Sequence, residues 1–406
     1  MRACLIGLIA VMLSANAAPA ARVPAPDPLQ GDGGVSPFYT WAGEIPETPG
    51  QMLRTEPLDP TLGLAMAAEQ IRILYSSTDG IDGKTPVVVS GAFFVPKGTP
   101  PAGGWPLLAW AHGTTGIADV CAPSWMPRSE RDANYLNTWL QQGYAIVATD
   151  YQGLGTPGPH PYLAVRPAAY SVLDSVRAVL KGFPTVANRI VIIGQSQGGS
   201  AAFASAGIAP AYAPDLNFRG SVGTGVPFIT PAILRPPANQ TPPDKADRTV
   251  AYSLYIAIMT QQNAGPIPVD PLVSARAMPL LDEARTTCVG TLFRDVVKAG
   301  LNRGNALSPE YRPALAAILP NLEYGTVYLP TPIFVGTGEQ DRDVPPAGQL
   351  ALVRNACAAG SVVEAHLYAG LNHSGTVNGS LKDSVPFVRK VMAGEPVRPV
   401  CQPVAE

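Results

Sequence analysis

The most constraining feature of the sequence is a serine between two glycines, placed directly after a short apolar run. Residues 190–193 are all β-branched and apolar, which is typical of a buried strand. The motif Gly-x-Ser-x-Gly follows at 194–198, and the alanine-rich residues 200–206 favour a helix. Gly194 and Gly198 leave the room that a sharp strand-to-helix turn needs. The pattern therefore predicts that the hydroxyl of Ser196 projects from the carboxyl end of a strand.

Other apolar runs recur along the chain and alternate with helix patterns. The runs at 107–111 and 145–149 suit buried parallel strands, and residues 168–180 carry apolar side chains at helical spacing. The runs at 71–75 and 86–95 are joined by Asp-Gly turns, which indicates an antiparallel entry to the sheet. Further strands are predicted at 333–335 and 362–367, and further helices at 346–359 and 381–392. This alternation predicts an α/β fold with a mainly parallel central sheet flanked by helices.

The alternation stops between residues 226 and 325, where prolines cluster and only helix patterns appear, at 250–262, 292–301 and 309–318. We predict a large, mostly helical cap insertion there. In chain order, the predicted parts are a signal peptide at 1–20, an N-terminal surface arm at 21–60, a core at 61–225, the cap insertion at 226–325, the second part of the core at 326–395 and a C-terminal tail at 396–406.

Composition excludes several classes of protein and of partner. The chain has 44 prolines and 40 glycines among 406 residues, but 46 % of its residues are hydrophobic, which is incompatible with disorder of the bulk. Lysine and arginine total 28 against 30 acidic residues, and no basic run appears, which argues against a nucleic-acid partner. Because only 14 % of residues are charged, we expect a neutral partner.

The first residues have the pattern of a secretory signal peptide. Met1 and Arg2 precede the apolar residues 3–13, and A-x-A sites follow at 15–17 and 18–20. Cleavage near 17–20 predicts a secreted protein, extracellular or periplasmic, and no later run is long enough for a transmembrane segment. Four cysteines then remain, which suggests two disulfides in any of three pairings: Cys121, Cys288, Cys357 and Cys401.

A serine nucleophile needs a neutral imidazole to accept its proton, and the chain has four histidines. His366 lies within a strand pattern, where we expect a packed or sheet-surface residue, and His160 lies between two prolines, where we expect a loop near the site entrance. His112 follows the 107–111 strand, where an oxyanion-hole loop is expected. His373 follows the last strand on a small-residue loop and is our candidate base.

The acid that orients the imidazole should follow the strand at 333–335. Asp341 and Asp343 compete for this role, with Glu339 a distant third. Asp341 stands three residues before the Val-Pro pair that opens the next helix, whereas Asp343 could cap that helix, so we favour Asp341. The resulting chain order of serine, acid and histidine is the order found in α/β-hydrolases.

Two backbone N–H groups are expected to stabilise the oxyanion of the transition state. One belongs to Gln197, directly after the candidate nucleophile, and the other to Thr114, in the loop that begins with His112 and Gly113. The hydroxyl of Thr114 or of its neighbour Thr115 could add a donor.

These motifs resemble those of the secretory lipase family, the Candida antarctica lipase A type of α/β-hydrolase. The resemblance rests on three sequence segments: residues 194–199, Asp-Tyr-Gln-Gly-Leu-Gly at 150–155 and Cys-Ala-Pro-Ser at 121–124. It also rests on the separation of Asp341 from His373 and on the large insertion between the Ser196 turn and the candidate acid. It implies an α/β-hydrolase fold, a Ser196, Asp341 and His373 triad, a helical cap over an acyl channel, and no metal or cofactor. It also implies disulfides Cys121–Cys288 and Cys357–Cys401.

The predicted activity is therefore hydrolysis of a neutral acyl ester, in solution or at a lipid–water interface, by a protein that we expect to be monomeric. The same fold leaves two alternatives open. One is a secreted prolyl-type peptidase or acyltransferase, and the other is a non-catalytic binding module.

Overall fold

The computed structural model describes residues 23–235, 245–263, 268 and 270–406. The predicted signal peptide lies outside the described residues, as do four of the clustered prolines, Pro236, Pro237, Pro242 and Pro243. Within the described residues, none of the helices combines the length and the apolar character needed to cross a membrane.

The elements alternate along the chain as the apolar runs predicted. The strands are β1 Met52–Pro57, β2 Ala67–Thr78, β3 Pro86–Pro96, β4 Trp105–Ala111, β5 Ala145–Thr149, β6 Val186–Gln195, β7 Phe218–Thr224, β8 Ile333–Gly338 and β9 Val363–Tyr368. The helices are α1 Glu130–Gln141, α2 Val165–Gly182, α3 Gln197–Tyr212, α4 Val250–Asn263, α5 Met278–Ala284, α6 Val289–Lys298, α7 Arg303–Ala306, α8 Tyr311–Leu322, α9 Pro346–Ala358, α10 Gly375–Gly379 and α11 Leu381–Ala393.

The nine strands form one sheet in the order β1-β2-β3-β5-β4-β6-β7-β8-β9. The pairs β1 with β2, β2 with β3 and β3 with β5 are antiparallel, and every later neighbour pair is parallel. The predicted α/β fold, with an antiparallel entry to a mainly parallel sheet, is confirmed. Strands β4, β6, β7, β8 and β9 therefore direct their carboxyl ends to one edge, where ligands bind in open α/β sheets.

Helices cover both faces of this sheet, and the alternation of side chains along β4 shows why. Leu107 and Ala109 pack in the cluster that contains apolar residues of α2 and α3, whereas Leu108 and Trp110 pack with α1 and α11. Successive side chains of a strand point to opposite faces, so a strand covered on both sides must be apolar throughout. The continuous apolar runs of the sequence reflect this double burial.

Part of the predicted surface arm at 21–60 is wrong. Met52–Pro57 forms the edge strand β1, and Phe38 and Tyr39 are buried against Leu74 and Val88. The prediction relied on the turn-forming residues of this segment, whereas its aromatic side chains gain more from burial against the sheet. β7 and α1 were not predicted either.

The chain between β7 and β8 forms a helical insertion with an apolar cluster of its own. Helices α4 to α8 contribute most of this cluster, which also takes in Ile117 and Tyr162 from the core. The disulfide Cys121–Cys288 joins the insertion to the loop after β4, and Cys357–Cys401 joins α9 to the C-terminal residues. These are the two pairs that the family resemblance implies.

Candidate active site

Ser196 lies between the last residue of β6 and the first residue of α3, with φ 57° and ψ −119°. A positive φ at a residue other than glycine costs about 1–3 kcal/mol, and such strain is commonly found at functional sites. A Cβ at Gly194 would lie 2.0 Å from the carbonyl oxygen of Gly198, and a Cβ at Gly198 would lie 1.8 Å from that of Ala111. Only glycine fits at either position, so the flanking glycines make the strained turn possible.

His373 and Asp341 form a buried pair at the same edge of the sheet. Nδ1 of His373 lies 2.7 Å from Oδ2 of Asp341, and only 4 % of Asp341 is exposed. The backbone N–H groups of Asp343 and Val344 donate to Asp341 Oδ1 at 3.0 and 2.9 Å, and Gln349 Nε2 donates to Oδ2 at 2.9 Å. These donors hold the carboxylate in a fixed orientation toward the imidazole.

Asp343, the competing acid of the sequence analysis, has different partners. Its carboxylate accepts hydrogen bonds from Arg248 at 2.5 Å and from the Tyr252 hydroxyl at 3.1 Å, both of which belong to the insertion. Oxygens of Asp341 and Asp343 and a ring nitrogen of His373 lie within 4.8 Å of one another, which makes them the candidate metal ligands of the described residues. All three side chains already have hydrogen-bond partners within the protein, so their arrangement is that of an acid–base pair beside an ion pair.

The loop after β4 carries Thr114, one of the two predicted oxyanion residues, and buried hydrogen bonds hold the loop in place. The ring of His112 is buried, with Nδ1 2.7 Å from the carbonyl of Gly113 and Nε2 3.2 Å from that of Asp150. Burial lowers the pKa of His112 and raises that of Asp150. Asp150 in turn accepts from the Ser90 hydroxyl at 2.7 Å and from the backbone N–H of Ser124 at 2.9 Å. His112 thus supports the loop and does not face Ser196 as a base.

Thr114 and Thr115 connect this loop to Tyr162 and to the insertion. The hydroxyl of Thr114 lies 2.9 Å from that of Tyr162, and the N–H of Val289 donates to the carbonyl of Thr115 at 2.7 Å. Thr114 lines the same cavity as Ser196. The position of the oxyanion loop therefore depends on the insertion as well as on β4.

The prediction that His160 lies at the site entrance is wrong. Its ring is buried, with Nδ1 2.8 Å from the carbonyl of Gln152 and Nε2 3.0 Å from the side-chain nitrogen of Gln197. Burial lowers the pKa of His160 to about 4. His366 packs on the sheet between the rings of Phe334 and Tyr368, so it is a packed sheet residue as expected.

Two residues near His373 were missed by the sequence analysis. The side-chain nitrogen of Gln195 lies 2.8 Å from Nε2 of His373, and Arg131 of α1 donates to Gln195 Oε1 at 3.3 Å. The position of Gln195 within the Gly-x-Ser-x-Gly motif was a signal that it lies near the serine. Nothing in the sequence points to Arg131.

A cavity of about 630 Å³ opens onto Ser196 and His373. The insertion contributes six residues to its wall, and the core contributes the others; the six are Arg248, Tyr252, Cys288, Val289, Gly290 and Phe293. The cavity wall is not purely apolar, because it includes four arginines and two aspartates, namely Arg128, Arg131, Arg248, Arg342, Asp132 and Asp343. The cavity can therefore bind polar groups beside an apolar chain.

The sheet order, the strained serine at the strand-to-helix turn and the adjacent histidine–aspartate pair are features of the α/β-hydrolase fold. Residues 129–235, which include the serine turn, match the family model described as secretory lipase. The chain is also similar to Lipase 7 of Candida albicans, with 34 % identity over 122 residues, and to Lipase A of Moesziomyces aphidis, with 25 % identity over 205 residues. The matched segments cover 28 % and 42 % of these relatives, less than half of their length.

Two solved structures share the fold over most of the chain. Candida antarctica lipase A in its closed state superposes with a TM-score of 0.73 at 19 % identity, covering 94 % of this chain and 90 % of that one. The rice cell wall degrading esterase LipA from Xanthomonas oryzae gives a TM-score of 0.66 at 20 % identity, covering 84 % and 98 %. This likeness shows the α/β-hydrolase fold, and the sequence matches show similarity to secretory lipases over part of the chain.

Proposed function

We propose that the protein is a secreted carboxylic ester hydrolase of the lipase and esterase type, with Ser196 as nucleophile. The observation that carries this proposal is the hydrogen bond of 2.7 Å between His373 and Asp341. This pair lies at the same edge of the sheet as the strained turn that presents Ser196. The named relatives, which are lipases and an esterase, point to the same chemistry.

In the proposed mechanism, Ser196 Oγ attacks the ester carbonyl carbon while His373 Nε2 accepts the hydroxyl proton. Asp341 stabilises the imidazolium and does not itself accept the proton. Collapse of the tetrahedral intermediate breaks the bond to the alcohol oxygen, which takes the proton from His373 Nε2. Water then attacks the acyl-enzyme by the same route, releasing the carboxylic acid and restoring the Ser196 hydroxyl.

The oxyanion of the intermediate would lie between the N–H groups of Gln197 and Thr114. Gln197 is the first residue of α3, and the first N–H groups of a helix have no acceptor within the helix. The helix dipole also favours negative charge at this end. Removal of one oxyanion donor typically costs about 10²–10³-fold in kcat.

The proposed substrate is a neutral acyl ester that enters the cavity of about 630 Å³ beneath the insertion. The insertion between β7 and β8 acts as the cap in this proposal, because Tyr252, Val289 and Phe293 complete the cavity wall. Secretion is supported by the N-terminal pattern and by the two disulfides, which persist in oxidising compartments.

The test compares the purified protein with its Ser196→Ala variant on p-nitrophenyl esters from acetate to palmitate and on aminoacyl anilides. We expect ester hydrolysis by the parent protein and a loss of at least about 10³-fold in the variant, since the acyl-enzyme cannot form. Ser200→Ala is the matched control, because it removes a hydroxyl one helical turn further on, and it should keep activity within about threefold. Equal ester hydrolysis by the parent and Ser196→Ala, or faster cleavage of anilides than of esters, would exclude the proposal.

A further inference from the structure

The proton-accepting nitrogen of His373 already has a partner. Because Nδ1 faces the Asp341 carboxylate at 2.7 Å, the proton of the neutral ring belongs on Nδ1 and the lone pair on Nε2. The side-chain nitrogen of Gln195 lies 2.8 Å from this Nε2. Ser196 Oγ makes no hydrogen bond to any other residue that the structure describes. The carboxamide of Gln195 thus occupies the hydrogen-bonding position at His373 Nε2 that the Ser196 hydroxyl must occupy to transfer its proton.

Arg131 fixes the orientation of the Gln195 carboxamide. Arg131 Nη2 donates to Gln195 Oε1 at 3.3 Å, which leaves the amide nitrogen to face the imidazole. Arg131 is itself held by Asp132, whose Oδ1 accepts from Nε at 2.8 Å, and by Asn378, which donates to the Arg131 carbonyl at 3.0 Å. A chain of hydrogen bonds therefore runs from α1 through Gln195 to His373.

The space around the carboxamide is closely fitted. Gln195 is only 2 % exposed, and a Cβ at Gly113 would lie 2.2 Å from its Oε1. Glycine at the start of the oxyanion loop is thus what makes room for this side chain. The contact with His373 is a packed arrangement and not one rotamer of a free surface residue.

We infer that Gln195 is a positioning residue that holds His373 in a resting arrangement and must release Nε2 before Ser196 can transfer its proton. This inference rests on the proposed function. The change exchanges one N–H donor for one O–H donor and creates no charge. Because a neutral hydrogen bond contributes modestly to stability, removing the competing donor should accelerate attack by Ser196 about twofold to tenfold.

The experiment measures the rate at which diethyl p-nitrophenyl phosphate phosphorylates Ser196 with release of p-nitrophenolate, together with kcat/KM for p-nitrophenyl butyrate, in two near-isosteric variants. Gln195→Met removes the donor and should raise both rates about twofold to tenfold. Gln195→Glu places a carboxylate at Nε2, which favours the protonated ring, so both rates should fall at pH 7 and recover as the pH rises. A purely structural role of Gln195 would not give opposite signs for two side chains of similar size.

Gln142→Met is the matched control on α1. Gln142 lies exposed at the C-terminal end of that helix and accepts from Arg389, so its loss leaves the His373 contact intact and should give no acceleration. Arg131→Met releases Gln195 Oε1 without changing the motif, and we expect a smaller acceleration in the same direction. It remains decisive if the Gln195 variants fail to fold.

A Gln195→Met protein that folds but reacts at the parent rate or more slowly would overturn the inference, as would a slower Arg131→Met protein. Acceleration by Gln142→Met would also overturn it. Failure of the proposed function looks different, because diethyl p-nitrophenyl phosphate would then not phosphorylate Ser196 of the parent protein itself.

Discussion

The central sheet and the helical insertion both reach the cavity at Ser196, but they hold their residues by different means. In the sheet, the proposed catalytic groups follow the ends of β6, β8 and β9, and backbone hydrogen bonds fix them, as the N–H groups of Asp343 and Val344 do for Asp341. The insertion contributes mostly side-chain links, including the Arg248–Asp343 ion pair and the Cys121–Cys288 disulfide, beside the backbone hydrogen bond from Val289 to Thr115.

This difference suggests a division of labour between the two regions. The sheet supplies every group of the proposed triad, whereas the insertion contacts the two loops that surround them. Val289 binds the oxyanion loop through Thr115, and Arg248 binds the acid loop through Asp343. The insertion is therefore placed to influence access and loop position without taking part in proton transfer.

The largest expected effect tests whether the acid of the triad is Asp341, which is held by core residues, and not Asp343, which is bonded to the insertion. Asp341→Asn keeps the shape of the side chain but removes the charge that orients His373, so kcat/KM for p-nitrophenyl butyrate should fall about 10³–10⁴-fold. Asp343→Asn weakens the link to Arg248 and should cost less than about tenfold. A larger loss of kcat/KM in Asp343→Asn than in Asp341→Asn would identify Asp343 as the acid of the triad. The insertion would then contact a catalytic residue directly, and the division of labour between the two regions would be wrong.

The sequence predicted those parts of the site that depend on local pattern. The turn at Ser196 follows from two glycines and an apolar run, and His373 follows from chain order. The choice between Asp341 and Asp343 could not be made with certainty, because it depends on which carboxylate the folded loop turns toward His373. The Gln195–His373 contact joins residues 178 positions apart, and no local pattern encodes it.

Missed elements of the fold have equally specific causes. β7 carries two glycines and few β-branched residues, so its strand conformation depends on pairing with β6 and β8. α1 did carry a signal, since Ser129 caps it by accepting from the N–H of Asp132 and acidic residues fill its first turn. The edge strand β1 follows a turn-rich segment and ends in proline, which masked its short strand pattern.

A second prediction compares the two disulfides. Cys121–Cys288 spans 167 residues and joins core to insertion, whereas Cys357–Cys401 spans 44 residues at the end of the chain. In the loop-entropy description, their removal lowers the free energy of unfolding by at most about 5 and about 4 kcal/mol respectively. Double Cys→Ser variants should therefore both unfold at lower urea concentration.

Activity at low temperature should separate the two disulfide variants. Only the Cys121→Ser/Cys288→Ser protein should lose ester hydrolysis before it unfolds, because that bond anchors the oxyanion-loop region to the insertion. Equal activity of the two double variants would show that the insertion does not influence the site through this link.

The smallest expected effect is on the free energy of unfolding and concerns Asp119. Near this residue, the segment that precedes β1 contacts both the loop after β4 and the helical insertion. The N–H of Gly33 donates to Asp119 Oδ2 at 2.8 Å, and Arg285 of the insertion donates to the carbonyl of Leu29 at 2.8 Å. Burial raises the pKa of Asp119 to about 7. The charged carboxylate of Asp119 therefore lowers the free energy of unfolding at pH values above its raised pKa of about 7. This destabilisation disappears as the pH falls toward the ordinary pKa of 3.8.

Asp119→Asn should accordingly stabilise the protein at pH 8 by on the order of 2 kcal/mol and have little effect at pH 4. Thermal unfolding of the parent and the variant at both pH values measures this difference. A variant that is less stable than the parent at pH 8 would show that the charged form of Asp119 supports the junction.

The disulfide between Cys121 and Cys288 also closes a covalent ring that contains Ser196, the whole of β7 and the first part of the insertion. Cleavage of any one peptide bond from 122 to 287 leaves both fragments attached to each other. His373 and Asp341 lie on the fragment that follows such a cut, and a cut after residue 196 leaves Ser196 on the other. A protease acting outside the cell could therefore nick this stretch without separating the proposed nucleophile from its base.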